Sequence, residues 1–228
     1  MQNSEHKSGK KEIIIICRLV IESFYSNDFG VNSYLVFISE NVLIVFQHEK
    51  RTGWVLCNIN DCESIAGHMY RMGMITFLLT EETNTTNLDR FKCLQIALVH
   101  DLAECIVGDL TPHCGVPPEE KHRREDEAMK HIAQLTGMAG DTMYELYKEY
   151  ENQSSPEAKF AKDLDRYDMI LQAFEYEKRE KSPKKCEEFF TATVGKFNHP
   201  FIKGLVEELY SQREEYGKKM LNGDAHIL

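Results

Sequence analysis

His100 and Asp101 stand side by side within residues 93–109 (CLQIALVHDLAECIVGD), with Glu104 one helical turn after His100 and Asp109 just beyond Gly108. Nearly everything around them is apolar: Ile96, Ala97, Leu98 and Val99 before the pair, Leu102, Ala103, Ile106 and Val107 after it. Such a pattern predicts a buried helix that stops at Gly108. An ionised carboxylate is expensive to bury unless it is paired or bound to a cation. A divalent metal ion is the economical reason for an imidazole and three carboxylates in one such segment. At helical spacing His100 and Glu104 share a face and Asp101 is turned from His100 by about 100°, so the adjacent pair can grip an ion lying between their directions. Alone, His100 and Asp101 would read as a satisfied core pair; Glu104 and Asp109 beside them argue for a site.

Other elements must bring the remaining ligands. Residues 51–64 (RTGWVLCNINDCES) read as a loop carrying Arg51 and the only tryptophan, Trp54, and Ser64 then offers a helix N-terminus. That helix, to about residue 79, carries His68, Arg71 and Met72. A polar loop, TEETNTTNLD, leads to the central helix over 91–107, and TPHCGVPP breaks the chain after it. Residues 119–135 form an amphipathic helix whose His122, Arg123 and Arg124 alternate with Glu119, Glu120, Glu125 and Asp126, a solvated and self-paired face rather than a phosphate patch. His131 on the same helix is left unassigned. Further helices are expected over 142–151, 156–180 and 200–218. The 156–180 helix carries Asp163, Asp165 and Asp168. Its apolar face centres on Phe160, Leu164, Tyr167 and Leu171, with Asp163 and Asp168 inside its edges and Asp165 beside it, and periodicity does not choose among the three.

At 228 residues without a Pro/Gly/Ser-rich linker, one domain is the default. The 42% hydrophobic and 28% charged content is ordinary for a soluble globular chain. A net charge of −10 argues against a nucleic-acid polymer as partner, though not against a small anionic substrate. Seven cysteines, odd in number and without a CxxC pair, point to reduced thiols and an intracellular, cytoplasmic setting. Residues 13–21 (IIIICRLVI) and 34–46 (YLVFISENVLIVF) are rich in β-branched residues and read as strand-like. Both fall short of the roughly 20 residues needed to span a bilayer, and no small-residue cleavage pattern follows the first, so neither a membrane span nor secretion is expected.

The order of His68, then His100-Asp101, then a later aspartate, with the long stretches RTGWV, HMYRM, ALVHDLAECIVGDL, EEKHRREDEAM, EAKFAKDLDRYDMILQAFEYE and GKFNHP, resembles the 5′-deoxynucleotidase branch of the HD superfamily of metal-dependent phosphohydrolases over residues 51–212. The resemblance implies an all-α HD-domain helical bundle over 47–220; residues 1–46, an atypical β-rich or irregular segment, depart from the family pattern, which leads into RTGW with an amphipathic helix, and 221–228 form a tail. It makes His68, His100, Asp101 and Asp165 the ligands of a divalent cation (Mn2+, Co2+ or Mg2+), choosing Asp165 because it occupies the family Asp within the KxLD stretch 162–165. Glu104 and Asp109 match acidic residues at the reaction centre, which in some relatives hold a second ion together with the backbone of the next residue, here Leu110. Arg51 matches a phosphate-contacting arginine and Trp54 an aromatic near the sugar, although the two are adjacent in bacterial relatives and three apart here. The implied reaction is hydrolysis of a deoxynucleoside 5′-monophosphate to deoxynucleoside and phosphate, in a homodimer, with no nucleic-acid polymer or membrane as partner. Glu104 would orient or deprotonate the water, Asp109 would serve the leaving 5′-oxygen, and Arg51 would pair with the phosphate. The alternatives are another HD activity, phosphodiesterase or triphosphohydrolase, or an inactive HD domain that binds a ligand.

Overall fold

The structure, a computed structural model, describes residues 48–222. The two strand-like runs, 13–21 and 34–46, lie outside the described residues, as do Cys17 and residues 223–228. Among the described residues the regular elements are helices: α1 (Thr52–Leu56), α2 (Ile65–Thr76), α3 (Arg90–Ala97), α4 (Glu104–Val107), a 3-10 turn (Pro112–Cys114), α5 (Pro118–Thr136), α6 (Met138–Asn152), α7 (Pro156–Arg179), α8 (Glu187–Thr193) and α9 (Pro200–Leu221). The expected all-α bundle is what forms.

Local sequence sets most of the boundaries. Ser64 Oγ accepts from the Gly67 N–H at the start of α2, Asp89 accepts from the Phe91 and Lys92 N–H groups at α3, and Ser155 Oγ accepts from Ala158 N–H at α7, where Pro156 opens the first turn. Between α5 and α6 the chain turns at Gly137, with φ of +59°, and α6 begins so close to the end of α5 that a Cβ at Gly140 would lie 2.1 Å from the Ala133 carbonyl oxygen. That close approach lets α6 start at Met138, before the expected residue 142.

Three stretches depart from expectation. The presumed loop at 51–64 contains α1, and the unforeseen α8 closes over the core with Phe190. The continuous helix over 91–107 divides into α3 and α4. In an unbroken helix the Ala97 carbonyl would accept from the Asp101 N–H; here the His100 ring takes it, Nδ1 to O at 3.0 Å. The bonds then tighten to i→i+3, from Val99 N–H to Ile96 O, Leu102 N–H to Val99 O and Glu104 N–H to Asp101 O. The segment is also not buried all round, since Leu98 and Ile106 face outward.

The 24-residue α7 is the axis of the bundle, in contact with α2, α3, α6, α8 and α9. One side of it anchors a core of Trp54, Met72, Phe160, Leu164, Ile170, Phe174, Phe190 and Ile202. A second core gathers Ile65, Met69, Val99, Leu102, Met129, Ile132 and Tyr147. Helix α2 contributes to both, Met72 to the first and Ile65 and Met69 to the second, and His68 projects between them. The six described cysteines are all free thiols. Among the described residues no helix is long and apolar enough to cross a membrane.

Candidate metal centre

His68 from α2, His100 and Asp101 from the α3–α4 turn, and Asp165 from α7 point at one spot. His68, His100 and Asp101 each offer a ligand atom within 4.8 Å of the others. His68 Nε2 lies 3.7 Å from Asp101 Oδ2 and 3.3 Å from Asp165 Oδ1, and His100 Nε2 lies 3.3 Å from Asp101 Oδ2. Both imidazoles are buried, and neither Nε2 has a hydrogen-bond partner. Their other nitrogens are committed. His100 Nδ1 donates to the Ala97 carbonyl, and His68 Nδ1 faces Asp168 Oδ2 at 2.6 Å. A carbonyl can only accept, so the proton of His100 sits on Nδ1 and the Nε2 lone pair points inward. Two buried ring nitrogens facing two carboxylates, each ring fixed from behind, fit a divalent transition ion.

The electrostatics agree. Burial and Arg51 oppose protonation of His68, and the carboxylates of Asp165 and Asp168 outweigh them, pushing its pKa up to about 9. The cation-free cluster therefore draws a proton, which an incoming cation would displace. Burial opposes ionisation of Asp101 and Asp165 as well, but His100 and Arg51 hold Asp101 below the usual carboxylate range, and Lys162 with the two histidines holds Asp165 well below it too.

Glu104 behaves in the opposite way. It is 5% exposed, its Oε2 has no hydrogen-bond partner, and burial with the neighbouring Asp101 and Asp109 pushes its pKa well above the ordinary range. Arg51 Nη1 bonds Asp101 Oδ2 at 2.9 Å and lies 3.9 Å from Glu104 Oε2. Asp109 Oδ2 accepts the Thr52 N–H at 2.8 Å, which ties the start of α1, and so Arg51, to this side of the cluster. Leu110, half-buried, follows Asp109 in the turn before Pro112.

Trp54 is not where the sequence reading puts it. It is 2% exposed, turned into the core between Tyr176 and Phe189 with ring centroids at 5.2 and 4.4 Å. The short helix α1 rolls it inward, and its buried N–H finds an acceptor in Glu63 Oε1 at 3.1 Å. It offers no exposed aromatic wall. Of the three candidate aspartates on α7, Asp165 reaches the cluster, Asp168 stands behind His68, and Asp163 caps the start of α9 by accepting from the Asn198 and His199 N–H groups at 2.5 and 2.7 Å.

Several residues with clear places at the site carry no role in the sequence reading. Lys121 lies 3.5 Å from Glu104 Oε1 and 2.6 Å from Glu125 Oε1. Tyr150 donates to Asp165 Oδ2 at 2.8 Å, with Lys162 Nζ 2.8 Å from the Tyr150 oxygen and 3.1 Å from Asp165 Oδ2. The signal available was helical spacing, since Lys162 precedes Asp165 by three residues, Asp168 follows it by three, and Lys121 precedes Glu125 by four. The expected self-paired face does form, as Arg123 bonds Glu120 and Glu127 and Arg124 bonds Glu120. His122 pairs with Glu151 at 2.9 Å on an exposed surface.

A family model described as HD domain matches residues 46–208. The chain is 51% identical over 185 residues to the human protein named 5′-deoxynucleotidase HDDC2, covering 81% of this chain and 88% of the relative. It is 45% identical over 172 residues to 5′-deoxynucleotidase hdd1 of Schizosaccharomyces pombe, covering 73% and 84%. Among solved structures, the PH0347 protein from Pyrococcus horikoshii aligns with a TM-score of 0.61 at 32% identity, over 75% of this chain and 94% of that one. The HD domain-containing protein YGK1 aligns with a TM-score of 0.56 at 28% identity, over 83% and 90%.

Proposed function

Because this chain belongs to the HD domain family, we propose that it is a metal-dependent 5′-deoxynucleotidase, hydrolysing deoxynucleoside 5′-monophosphates to deoxynucleoside and phosphate. The observation that carries the reading is the pair of buried, unpartnered Nε2 atoms of His68 and His100 facing Asp101 and Asp165. A divalent cation held by these four side chains would supply Lewis-acid polarisation of the phosphate and activate water for attack on phosphorus. The domain that does this is residues 47–220, with 1–46 and 221–228 outside the chemistry.

The remaining roles belong to the chain itself. Arg51 receives a phosphate oxygen, exchanging its bond to Asp101 for the planar, two-point contact a guanidinium makes with phosphate. Lys121 gives the same side of the site a second cation, a charge supply suited to a single phosphate group and in line with a monophosphate substrate. Glu104 sits between these two cations, close enough to Asp101 to feel its charge. Its raised pKa suits a group that takes a proton from water. Asp109, fixed by the Thr52 N–H, serves the leaving 5′-oxygen.

The test is phosphate release from matched deoxy- and ribonucleoside monophosphates by protein stripped of metal and resupplied with Mn2+, Co2+ or Mg2+ in turn. Nucleoside triphosphates and cyclic nucleotides run in parallel. Turnover of the deoxynucleoside monophosphates that appears only on adding metal is the expected result. Full activity after exhaustive chelation, or turnover confined to triphosphates or cyclic nucleotides, would overturn the reading.

A further inference from the structure

His68 is the one candidate ligand that approaches from α2, and its ring is braced by a chain of buried and half-buried polar groups. Asp168 Oδ2 faces His68 Nδ1 at 2.6 Å. Arg71 grips that carboxylate with two bonds, Nε to Oδ1 and Nη2 to Oδ2, each 2.6 Å, and sends its Nη1 to Glu63 Oε2 at 2.7 Å. The other Glu63 oxygen accepts the Trp54 indole N–H at 3.1 Å, and the Glu63 backbone N–H donates to the Tyr176 hydroxyl at 2.8 Å. Asp168 is fully buried and Trp54 nearly so. Glu63, His68 and Asp168 also lie close enough together to suggest a second cation site, but the guanidinium of Arg71 already fills it.

We propose that Trp54, Glu63, Arg71 and Asp168 form a positioning relay that fixes the orientation and tautomer of His68 and thereby sets the affinity of the metal centre. Each link follows from donor and acceptor inventory. Asp168 accepts, so His68 carries its proton on Nδ1 and presents Nε2 inward. Asp168 buried beside a neutral imidazole would be an uncompensated charge, and Arg71 neutralises it. The Nη1 donor of Arg71, left over from the grip on Asp168, is taken by Glu63 Oε2. The indole N–H, which cannot be left unpaired in the core, locks the last free oxygen of Glu63. Because Trp54 lies on α1 shortly after Arg51 and Thr52, the relay joins the phosphate-binding side of the site to the back of a metal ligand. Trp54 is thus a positioning residue acting through Glu63 rather than a contact to the sugar.

The proposal rests on His68 being a metal ligand, and the experiment separates the two ideas. The full chain, stripped of metal, is titrated with Co2+, following heat and visible absorption, with metal-free thermal unfolding measured alongside. Arg71→Lys keeps the charge but cannot make the two-point grip; it and Asp168→Asn are expected to raise the Kd for Co2+ by about 10–100-fold. Trp54→Phe, which keeps a smaller aromatic ring and removes the donor to Glu63, shifts it in the same direction by less. Arg123→Met, on the exposed face of α5, leaves it unchanged. A merely structural role would lower the unfolding temperature while leaving the Kd of the folded protein alone. Binding within twofold of wild type in both Arg71→Lys and Asp168→Asn overturns the relay. Should Asp168→Asn fail to fold, Arg71→Lys decides, and nitrogen NMR of the wild-type His68 ring offers an independent check, since an unprotonated Nδ1 contradicts the proposal. If His68→Ala binds Co2+ like wild type, the ligand assignment itself falls; if it loses binding while the relay variants do not, only the relay falls.

Discussion

Glu104→Gln should separate chemistry from stability, because the same burial that suits Glu104 to handle a proton also destabilises the protein. The substitution keeps the shape of the side chain and removes its charge. Two attractions are lost, to Lys121 at 3.5 Å and to Arg51 at 3.9 Å, grossly about 5 and about 4 kcal/mol at an effective dielectric of about 20. The pKa of Glu104 is nevertheless raised, so burial and the charges of Asp101 and Asp109 exceed both attractions together. The sign of the stability effect follows. Below the unfolded-state pKa of a glutamate, about 4.3, both states carry the proton and Glu104 contributes nothing. Above it the unfolded chain gains by ionising, while the metal-free folded chain resists, so wild type loses stability as pH rises until Glu104 ionises in the folded state too. The metal-free Glu104→Gln variant should therefore be more stable than wild type in urea at pH 7, with the gap closing below about pH 4.3. Turnover should fall by about 10²–10⁴-fold, which is about 2.7–5.4 kcal/mol of transition-state stabilisation, with Co2+ affinity retained. Metal lost in proportion to activity would make Glu104 a ligand. A variant no more stable than wild type at pH 7 would refute the electrostatic argument.

Four further outcomes follow from the same geometry. His100→Ala and Asp101→Ala should each abolish both metal binding and phosphate release, measured by metal analysis and by turnover of the purified variants. Trp54→Ala should lower stability by about 3–5 kcal/mol in urea unfolding, the range for emptying a buried aromatic. Its ratio of kcat/KM for deoxyadenosine over adenosine monophosphate should not change, because the indole is buried between Tyr176 and Phe189 and offers a sugar no exposed face; a narrowed ratio would return Trp54 to the sugar. Asp163→Ala should cost about 3 kcal/mol or more in the same unfolding assay, since two backbone N–H groups at the start of α9 lose a charged acceptor. A chain beginning at residue 47 should keep Co2+ affinity and turnover, checked on the truncated protein beside the full one.

The proposed ligand set is legible because its signals are local and chemical. Ionisable groups in an apolar run announce themselves by the cost of burying them, and Ser64, Asp89 and Pro156 mark helix starts by hydrogen-bond chemistry confined to a single turn. Choosing Asp165 over Asp163 and Asp168 needs the resemblance, because all three sit near the same helical face and only the tertiary neighbours distinguish them: the α9 amides claim Asp163, and Arg71 claims Asp168. The break in the 91–107 helix escapes periodicity because it depends on a side chain taking a backbone acceptor, His100 on Ala97 O. Trp54 is misplaced for a related reason. Its position in the sequence fits either a sugar wall or a core anchor, and the deciding partners, Tyr176, Phe189 and Glu63, come from elsewhere in the chain.

Two of the three hydrophobic cores among the described residues supply the chain neighbours of the candidate ligands, and this gives the centre a mechanical meaning. His68 leaves α2 between them, His100 and Asp101 come from the turn beside Val99 and Leu102 of one core, and Asp165 follows Leu164 of the other. A cation gripped there would be a cross-link between segments far apart in the chain. It would close long loops in the folded state alone and tie those two packing units together. At a free concentration a hundred times its Kd it would add about 2.7 kcal/mol to the unfolding free energy. In hydrogen exchange the amides of α2, α3 and α7 should slow together on loading, whereas α9, whose anchor is Asp163, should hardly respond.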